Sequence, residues 1–510
     1  MADAVGAGEY HERTKHSPRS VREDAHRLDF DNKPRPYKGY RDRPRRALAE
    51  AIRPSMVPAL AAVADPGPPP GRSASVTLNE LTQLCYLAAG VTKRIQRGDR
   101  ELLFRAAACT GALYHVDLYL VAGPVDGLPS GVYHFDPMTL GLDVLREGDY
   151  RGVLAAATGG HPRVADAPVS VVATSTWWRN AWKYRARTYR HAFWDSGTVL
   201  ANLLAVAASL DLSAATVLGF ADERVADLLG VDVADEAPLE VVPVGAGAPA
   251  PDPVAVDPLE PATEPLSADP VDYPLIEGAY RASSLPDGDA VRDWRAAAPE
   301  APLVNRGPGD GERVELSPVP DDRASKVPLY HAVRRRGSCR EYVRESLNPR
   351  KVATVLDRAF RGVATDVTDR AVGGPVLNDA YCLVNGVDGI EPGVYQYHPA
   401  LDELERLRAG ECRQEAGHLA LDQRLGADAA VCVYFMTDLD AVVERLGDRG
   451  YRAAQLEAAV TAGRGYLGAA AHRDLGSTGL TFYDDAVAEF LSPRAAGQTP
   501  TFLWTLGRPA

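Results

Sequence analysis

The chain has 510 residues, more than one hydrophobic core usually organises, so we expect two or three domains. Hydrophobic residues make up 45% and charged residues 25%, which predicts a folded chain with only local disorder. The net charge of −13 argues against nucleic acid as the main ligand, because phosphate backbones bind to basic faces.

Three features that the sequence lacks bear on the cellular compartment and on metal binding. The six cysteines lie far apart, without a CxxC pair or a histidine at metal-binding spacing, so their spacing supports neither disulfides nor a metal site. The N-terminus has no apolar signal core, and no run of about 18 apolar residues occurs. These features argue against a membrane protein and favour a cytoplasmic one.

Taken in chain order, the sequence predicts four segments. A polar, proline-broken extension (1–60) precedes a first domain (61–247), and a Pro-, Ala- and acid-rich linker (248–310) precedes a second domain (311–510). The first domain has predicted strands at VDLYLV, GVYHF and PVSVVAT, which begin at Val116, Gly131 and Pro168, and an apolar helical pattern between Asp195 and Asp211. The second domain shows a helical pattern from Val352 to Phe360, followed by strands at AYCLV, GVYQY and AAVCVYF.

An internal repeat relates the two domains. VDGLPSGVYHF begins at Val125 and VDGIEPGVYQY at Val387, an offset of 262 positions that persists for about 100 residues. Strands and helices do not alternate as strict βαβ units, and no GxGxxG follows a strand, which disfavours a dinucleotide-binding Rossmann domain. We therefore predict an α+β protein made of two related domains.

Several segments resemble a known family. RNAWKYRARTYRHAFWDSGTVLANLL, from Arg179 to Leu204, resembles the signature of SagB-type azoline dehydrogenases, a branch of the FMN-dependent nitroreductase superfamily. RAAACTGALYHVDLYLV, from Arg105, is similar to the family segment RaaPSAGALyPiElYlv. The N-terminal extension also resembles the leader usual in this family.

The resemblance implies a catalytic pair. A consecutive Lys and Tyr serve beside the flavin in the family, and they match Lys183 and Tyr184 here. Oxidising an azoline to an azole removes a carbon-bound proton and a hydride, so a base is needed besides the flavin. At the repeat offset these residues become Arg445 and Leu446, which implies one catalytic centre. Taken alone, WKYRARTYR could equally be an ordinary basic helix start with aromatic packing.

The resemblance also implies FMN as the cofactor and a set of residues that would bind it. RRRGSCREY, from Arg334, resembles the nitroreductase phosphate motif, and Arg336, Ser338 and Arg340 would supply its donors. The family's Pro-Ser is replaced by Cys109 and Thr110, which retains a hydroxyl. The full set of candidate FMN contacts is Arg336, Ser338, Arg340, Arg105, Cys109, Thr110, Gly111, Thr478 and Gly479. As bare residues, the arginines fit a solvated patch, and STGLTFYDD, from Ser477, fits a simple helix-to-strand connection.

The distribution of these motifs predicts how the domains assemble. Nitroreductase sites lie at dimer interfaces, and here the arginine motif is in the second domain while ACTGAL is in the first. The chain should therefore fold as an intramolecular pseudo-dimer of two fused nitroreductase-like domains with one composite site. In the reciprocal site the counterparts are only RSASVT near Arg72 and GGPVLNDAY near Pro375.

Three functions remain open at this point. The first is FMN-dependent oxidation of peptide-borne azolines in ribosomal peptide natural-product biosynthesis, on a modified precursor peptide, with a cyclodehydratase as a candidate partner. The second is an NAD(P)H-dependent flavin reductase or dehydrogenase of a small molecule. The third is a non-catalytic scaffold that binds a peptide, which a protein without a flavin spectrum would favour.

Overall fold

The structure, a computed structural model, describes residues 3–48, 52–65, 76–98, 100–299, 301–303, 307–367 and 375–510. Within them, the first half contains helices α1 (Ala7–Arg13), α2 (Pro18–Arg22), α3 (Ala59–Ala64), α4 (Leu78–Ala89), α5 (Arg151–Ala157), α6 (Pro162–Ala165), α7 (Trp177–Tyr184), α8 (Thr188–Ser209) and α9 (Asp222–Leu229). Its strands are β1 (Arg45–Ala47), β2 (Val91–Arg97), β3 (Arg100–Arg105), β4 (Val116–Ala122), β5 (Gly131–Asp136), β6 (Gly141–Glu147), β7 (Val169–Thr176) and β8 (Glu236–Val244).

The second half follows the same plan. Its helices are α10 (Pro274–Ala282), α11 (Gly288–Ala296), α12 (Leu329–Arg335), α13 (Pro349–Ala359), α14 (Arg413–Leu419), α15 (Arg424–Asp428), α16 (Leu439–Leu446), α17 (Arg449–Ala470) and α18 (Asp484–Leu491). Its strands are β9 (Glu312–Glu315), β10 (Tyr342–Val343), β11 (Asp379–Val384), β12 (Gly393–His398), β13 (Glu403–Ala409), β14 (Val431–Thr437), β15 (Gly476–Leu480) and β16 (Thr499–Pro509). No helix in the described part of the chain is both long and apolar enough to span a bilayer.

Two antiparallel sheets form the frame of the molecule. One has the order β1-β6-β5-β4-β7-β8 and the other the order β10-β16-β14-β11-β12-β13-β9, with β15 paired to β16. The segment β6-β5-β4-β7-β8 corresponds to β13-β12-β11-β14-β16 at the 262-residue offset. The α+β class and the presence of two sheets are confirmed.

Two long helices, α8 and α17, pack against each other at small residues. A Cβ added to Gly197 would lie 2.5 Å from the Cβ of Ala459, and one added to Gly463 would lie 2.6 Å from that of Ala201. Gly197 is equivalent to Ala459, and Ala201 to Gly463, at the repeat offset. The two close contacts are therefore reciprocal, and each needs a glycine on one side because the backbones approach closely.

Buried ion pairs between the two halves are reciprocal in the same way. Asp484 accepts from Arg190 (Nη1–Oδ1 2.6 Å) and Arg187 (3.2 Å), both in the first half. The equivalent Asp222 accepts from Arg452 (2.7 Å) and Arg449 (2.6 Å) in the second half. Burial alone would raise the pKa of each aspartate, but the paired guanidinium groups outweigh burial and lower it. Each half thus supplies an anion to the other half's two cations.

The predicted linker (248–310) contains helices α10 and α11. The α10 segment contacts Arg452 as the N-terminal α1 segment contacts Arg190: Arg190 Nη2 donates to the His11 carbonyl (2.7 Å) and Arg452 Nη2 to the Tyr280 carbonyl (2.8 Å). The same pairing continues where His16 N donates to Asp484 and Leu285 N to Asp222. The second half therefore has its own leader, and residues 245–273 form the connection, which contains neither a helix nor a strand.

Candidate active site

A composite site lies where the arginine-rich loop of the second half meets the 105–111 segment of the first. Arg336 ends α12, and its Nε donates to the carbonyl of Ala106 (3.0 Å) while its Nη2 reaches the carbonyl of Arg105 (3.4 Å). The two predicted FMN-binding segments, which are more than 200 residues apart, are thus in direct contact.

The Thr478–Gly479 segment joins this loop from the other side. Ser338 pairs with Ser477 in a short parallel bridge, and the Cys339 amide donates to the Ser477 carbonyl (2.9 Å). The Tyr466 hydroxyl accepts a hydrogen bond from the Gly479 amide. Ser338, Thr478 and Gly479 are therefore brought together with Arg336.

Asp195 fixes the first-half segment. Its Oδ1 accepts from the Thr110 amide (2.9 Å) and from the Thr110 hydroxyl (2.7 Å), and its Oδ2 accepts from the Cys109 thiol (3.0 Å). The next residue, Gly111, has φ of +64°, and a Cβ there would lie 2.9 Å from the Tyr184 hydroxyl. A side chain at position 111 would therefore strain the backbone and displace Tyr184.

Lys183 and Tyr184 are the last two residues of α7, and Arg185 is its C-cap. The Lys183 Nζ is 5.0 Å from the centre of the Tyr184 ring. The N-terminal segment holds this helix in place, because Trp182 Nε1 donates to the Asp29 carbonyl (2.7 Å) and the Trp182 ring packs edge-on against Phe30.

The pKa values of Lys183 and Tyr184 are shifted in opposite directions. Partial burial, followed by the charges of Lys33 and Arg340, lowers the pKa of Lys183. Burial, followed by Asp195 and Cys109, raises the pKa of Tyr184. Near neutral pH the tyrosine therefore keeps its proton, while the neutral amine of Lys183 becomes more accessible than that of an ordinary lysine.

The cations of the site have no acidic partner. Lys183, Arg336 and Arg340 form no ion pair with any residue that the structure describes. Burial lowers the pKa of Arg336, and the Nη1 of its guanidinium makes no hydrogen bond within the described ranges. A guanidinium normally stays protonated, so this arrangement favours an anionic ligand.

Arg105 differs from the other predicted FMN contacts. Its guanidinium is buried and donates to the carbonyls of Val116 (3.0 Å) and Pro36 (2.7 Å), with Asp117 4.0 Å away. These bonds direct the side chain into the protein and tie the N-terminal segment to β4. The Arg105 guanidinium is therefore already engaged by protein carbonyls, and its contact with FMN stays a prediction.

The reciprocal positions differ in their side chains. Arg445 is exposed, as Lys183 is, whereas Leu446 is buried and its carbonyl accepts from Trp294 Nε1 (2.8 Å). Glu457 takes the place of Asp195 and accepts from the amides of Val376 (2.6 Å) and Leu377 (2.9 Å), just after Pro375. Arg72, the predicted counterpart of the arginine motif, lies outside the described residues.

Sequence reasoning did not single out Asp195, His115 or Tyr466 as site residues. His115 Nε2 bonds to Asp195 Oδ2 (2.8 Å), and Tyr466 contacts the Gly479 amide. Asp195 occurs within the family-like signature, which could have marked it. Tyr466 has no such signal, because it lies near the C-terminal end of the long buried helix α17, outside any family-like segment.

Comparisons with known proteins agree with this architecture. Residues 73–246 match the model of the Nitroreductase family. The "Putative nitroreductase MJ1384" of Methanocaldococcus jannaschii is 28% identical over 173 residues, 34% of this chain and 82% of that protein. The microcin B17-processing protein McbC of Escherichia coli is 26% identical over 136 residues, 26% of this chain and 50% of that protein.

A solved structure extends the similarity to the whole chain. The crystal structure of a "putative nitroreductase" from Anabaena variabilis has 26% sequence identity and a TM-score of 0.77, and the match covers 99% of both chains. The similarity in fold thus extends over both halves of this chain. The first half of the chain therefore contains a domain that matches the Nitroreductase family, at residues 73–246.

Proposed function

We propose that this protein is an FMN-dependent dehydrogenase that oxidises peptide-borne azolines to azoles. The observation that carries the proposal is the position of Lys183, which has no acidic partner and lies beside Tyr184 where the two halves meet. The similarity to McbC, whose name describes processing of microcin B17, supports a peptide substrate. A cyclodehydratase that forms the azoline rings is the corresponding partner.

The residues present fit FMN. Its phosphate is a dianion, and Arg336 Nη1, Arg340 and the Ser338 hydroxyl offer donors without competing carboxylates among the described residues. Gly111 leaves the surface beside Tyr184 free of a Cβ, which suits a flat ring. Thr478 and Gly479 would complete the pocket from the second half.

The proposal includes an intramolecular pseudo-dimer. The reciprocal ion pairs of Asp222 and Asp484 and the reciprocal α8–α17 contacts support it. Since Arg336 comes from one half and Lys183 from the other, neither half alone has a complete site. A stable, FMN-loaded protein made from residues 61–247 alone would contradict the composite site.

The two catalytic side chains divide the work. Bound FMN supplies the electron sink that takes a hydride from the azoline. Lys183 takes the proton from the ring carbon, and its lowered pKa makes the neutral amine available for this. Tyr184 keeps its own proton and orients the substrate by donating a hydrogen bond from its hydroxyl.

The test uses Lys183→Ala and Tyr184→Phe in the full chain. Both variants should fold and keep FMN, since neither side chain belongs to the phosphate site. Proton removal by a positioned base contributes about 100- to 10,000-fold, so the Lys183 variant should lose that much turnover. The assay follows by mass spectrometry the loss of two hydrogen atoms per ring from an azoline peptide under air.

Arg445→Ala is the matched control, because Arg445 is the repeat equivalent of Lys183 and is exposed. It should leave turnover unchanged. Near-normal oxidation by the Lys183→Ala, Tyr184→Phe double variant would refute the mechanism. Full FMN content without any azoline oxidation by the wild-type protein would instead favour a flavin enzyme that acts on a small molecule.

A further inference from the structure

A cluster of potential metal ligands lies directly behind the Thr110–Gly111 segment. Cys109, His115 and Asp195 each offer one ligand atom, and these atoms all lie within 4.8 Å of one another. It is the only grouping of three or more such residues found in the described ranges. The residues are 6 and 80 positions apart, so spacing rules for zinc motifs do not detect them.

We propose that Cys109, His115 and Asp195 form a zinc site that ties the 109–115 segment to helix α8. The side chains supply one sulfur, one nitrogen and one oxygen, a donor set that suits Zn²⁺. This site is separate from the flavin chemistry proposed above, and its role is structural.

Two of the three ligands are departures from the family-like segment. Aligned letter by letter from Arg105, RaaPSAGALyPiElYlv has serine at position 109 and proline at position 115, so its Pro-Ser falls on Ala108 and Cys109 rather than on Cys109 and Thr110. Neither serine nor proline supplies a thiolate or an imidazole. Here both positions hold ligand types, and the fold brings both onto the same oxygen of Asp195, at 3.0 Å and 2.8 Å. His115 is buried and Cys109 is partly buried, so both side chains face the same buried carboxylate.

Each of the three ligand residues makes a further hydrogen bond to a neighbouring group, as is usual for metal sites. His115 Nδ1 bonds to the Ser175 hydroxyl (2.8 Å), and a hydroxyl can either donate or accept, so it accommodates either imidazole tautomer. The Tyr114 amide donates to Cys109 Sγ (3.0 Å), which would stabilise a thiolate. The Thr110 hydroxyl donates to Asp195 Oδ1 (2.7 Å), and the Thr110 amide lies within hydrogen-bond distance of both Oδ1 (2.9 Å) and Oδ2 (3.0 Å), which fixes the carboxylate in place.

Zinc binding requires the three ligand atoms to move. Zn²⁺ bonds of about 2.0–2.3 Å at tetrahedral angles separate ligand atoms by roughly 3.3–3.7 Å. Sγ and Nε2, at 3.0 Å and 2.8 Å from Oδ2, must therefore each move about half an ångström away from it, and any pair near the 4.8 Å limit must close by about 1 Å. A cavity of about 10 Å³ beside Cys109 and Asp195 has room for roughly one water as the fourth ligand.

Zinc binding balances in both charge and protons. In the metal-free protein the thiol and the imidazole N–H both donate to Asp195. On binding, the thiol releases one proton to solvent, and the imidazole proton moves to Nδ1 and donates to Ser175. The thiolate and the carboxylate then neutralise the two charges of the ion.

The experiment measures zinc in the full-length protein after EDTA treatment, addition of ZnCl₂ and gel filtration. We expect one zinc per chain in the wild type, whether or not flavin is bound. Cys109→Ser and His115→Asn should each bind zinc about tenfold or more weakly. Cys339→Ser, a partly buried thiol outside the cluster, should bind as the wild type does.

A second measurement does not depend on the variants folding. Co²⁺ added to the wild type should give a thiolate-to-cobalt charge-transfer band, and Zn²⁺ should protect Cys109 from alkylation in peptide mass mapping. Failure of the wild type to retain zinc, or a cobalt spectrum without the thiolate band, would overturn the proposal. Retention of zinc by a folded Cys109→Ser, His115→Asn double variant would also overturn it.

Discussion

Replacing Glu240 with glutamine tests how burial controls charge in this fold. Glu240 lies on β8, is fully buried, and neither of its carboxyl oxygens makes a hydrogen bond within the described residues. Burial raises the pKa of Glu240 from 4.5 to about 8, with only the nearby Ser196 hydroxyl acting in the opposite direction. The folded protein therefore holds this group protonated at neutral pH.

The cost to stability follows from the difference between the folded and unfolded states. Below about pH 4.5 both states are protonated, so Glu240 costs nothing through ionisation. As the pH rises from 4.5 to 8 only the unfolded state ionises, so the folded state is progressively disfavoured. At about 1.4 kcal/mol per pKa unit, the loss is on the order of 3 kcal/mol at pH 7 and 5 kcal/mol above pH 8. Glu240→Gln should remove this loss.

The assay compares the free energy of unfolding in urea for wild type and Glu240→Gln at pH 5, 6, 7 and 8. The variant should match the wild type at pH 5 and exceed it increasingly at higher pH. Glu236→Gln, on the same strand, is the control with the opposite sign: burial would raise the pKa of Glu236, but Lys38 at 2.7 Å and hydroxyl bonds lower it. That variant should be less stable than wild type at pH 7. A Glu240→Gln advantage that does not change between pH 5 and pH 8 would refute the reasoning.

Three further predictions concern the site and the contact between the halves. Arg336→Ala should weaken FMN binding by about 10- to 150-fold, because a charge-assisted bond is worth about 1.5–3 kcal/mol; fluorescence titration of FMN measures it, and an unchanged Kd would contradict it. Asp484→Asn leaves two buried arginines without a counter-charge and should cost about 3–5 kcal/mol in urea unfolding, with a similar loss for Asp222→Asn; a loss under 1 kcal/mol in both would argue against buried pairing. Gly111→Ala should displace the Tyr184 hydroxyl and lower turnover in the azoline assay while the protein stays folded, so wild-type turnover would rule out the tight contact.

Much of the fold could be predicted because the repeat carries local patterns. Strands β4, β5 and β7 follow the segments that begin at Val116, Gly131 and Pro168, and α8 covers the predicted helical pattern from Asp195. The second leader could not be predicted, because it pairs with the first at an offset of 269 rather than 262, and its bonds are made mostly by backbone groups. Backbone contacts leave little trace in side-chain patterns.

The candidate site was predictable only in part. The resemblance pointed to both halves of the site, since Lys183 and Arg336 lie in recognisable segments. It could not reveal that Arg105 donates to two protein carbonyls, because a buried arginine bound to carbonyls looks the same in sequence as one that binds phosphate. The cluster around Asp195 was missed because its members meet only after folding.

The two halves match in the residues that hold them together but differ in their site residues, and the buried ion pairs show why. Contacts that hold the halves together must satisfy both sides at once, and Asp222 and Asp484 keep matching partners. Residues of the second, reciprocal site are under no such constraint if one complete site is enough for the reaction. Position 240 illustrates the outcome: its repeat equivalent, Phe502, packs 5.3 Å from the ring of Trp194 beside Gly479, whereas Glu240 places an unpaired carboxyl at the corresponding point. A protonated carboxyl at position 240 therefore replaces the aromatic surface that Phe502 provides beside Gly479. In the proposed pseudo-dimer, the structural contacts therefore stay symmetric, while the chemistry is confined to the side that holds Lys183.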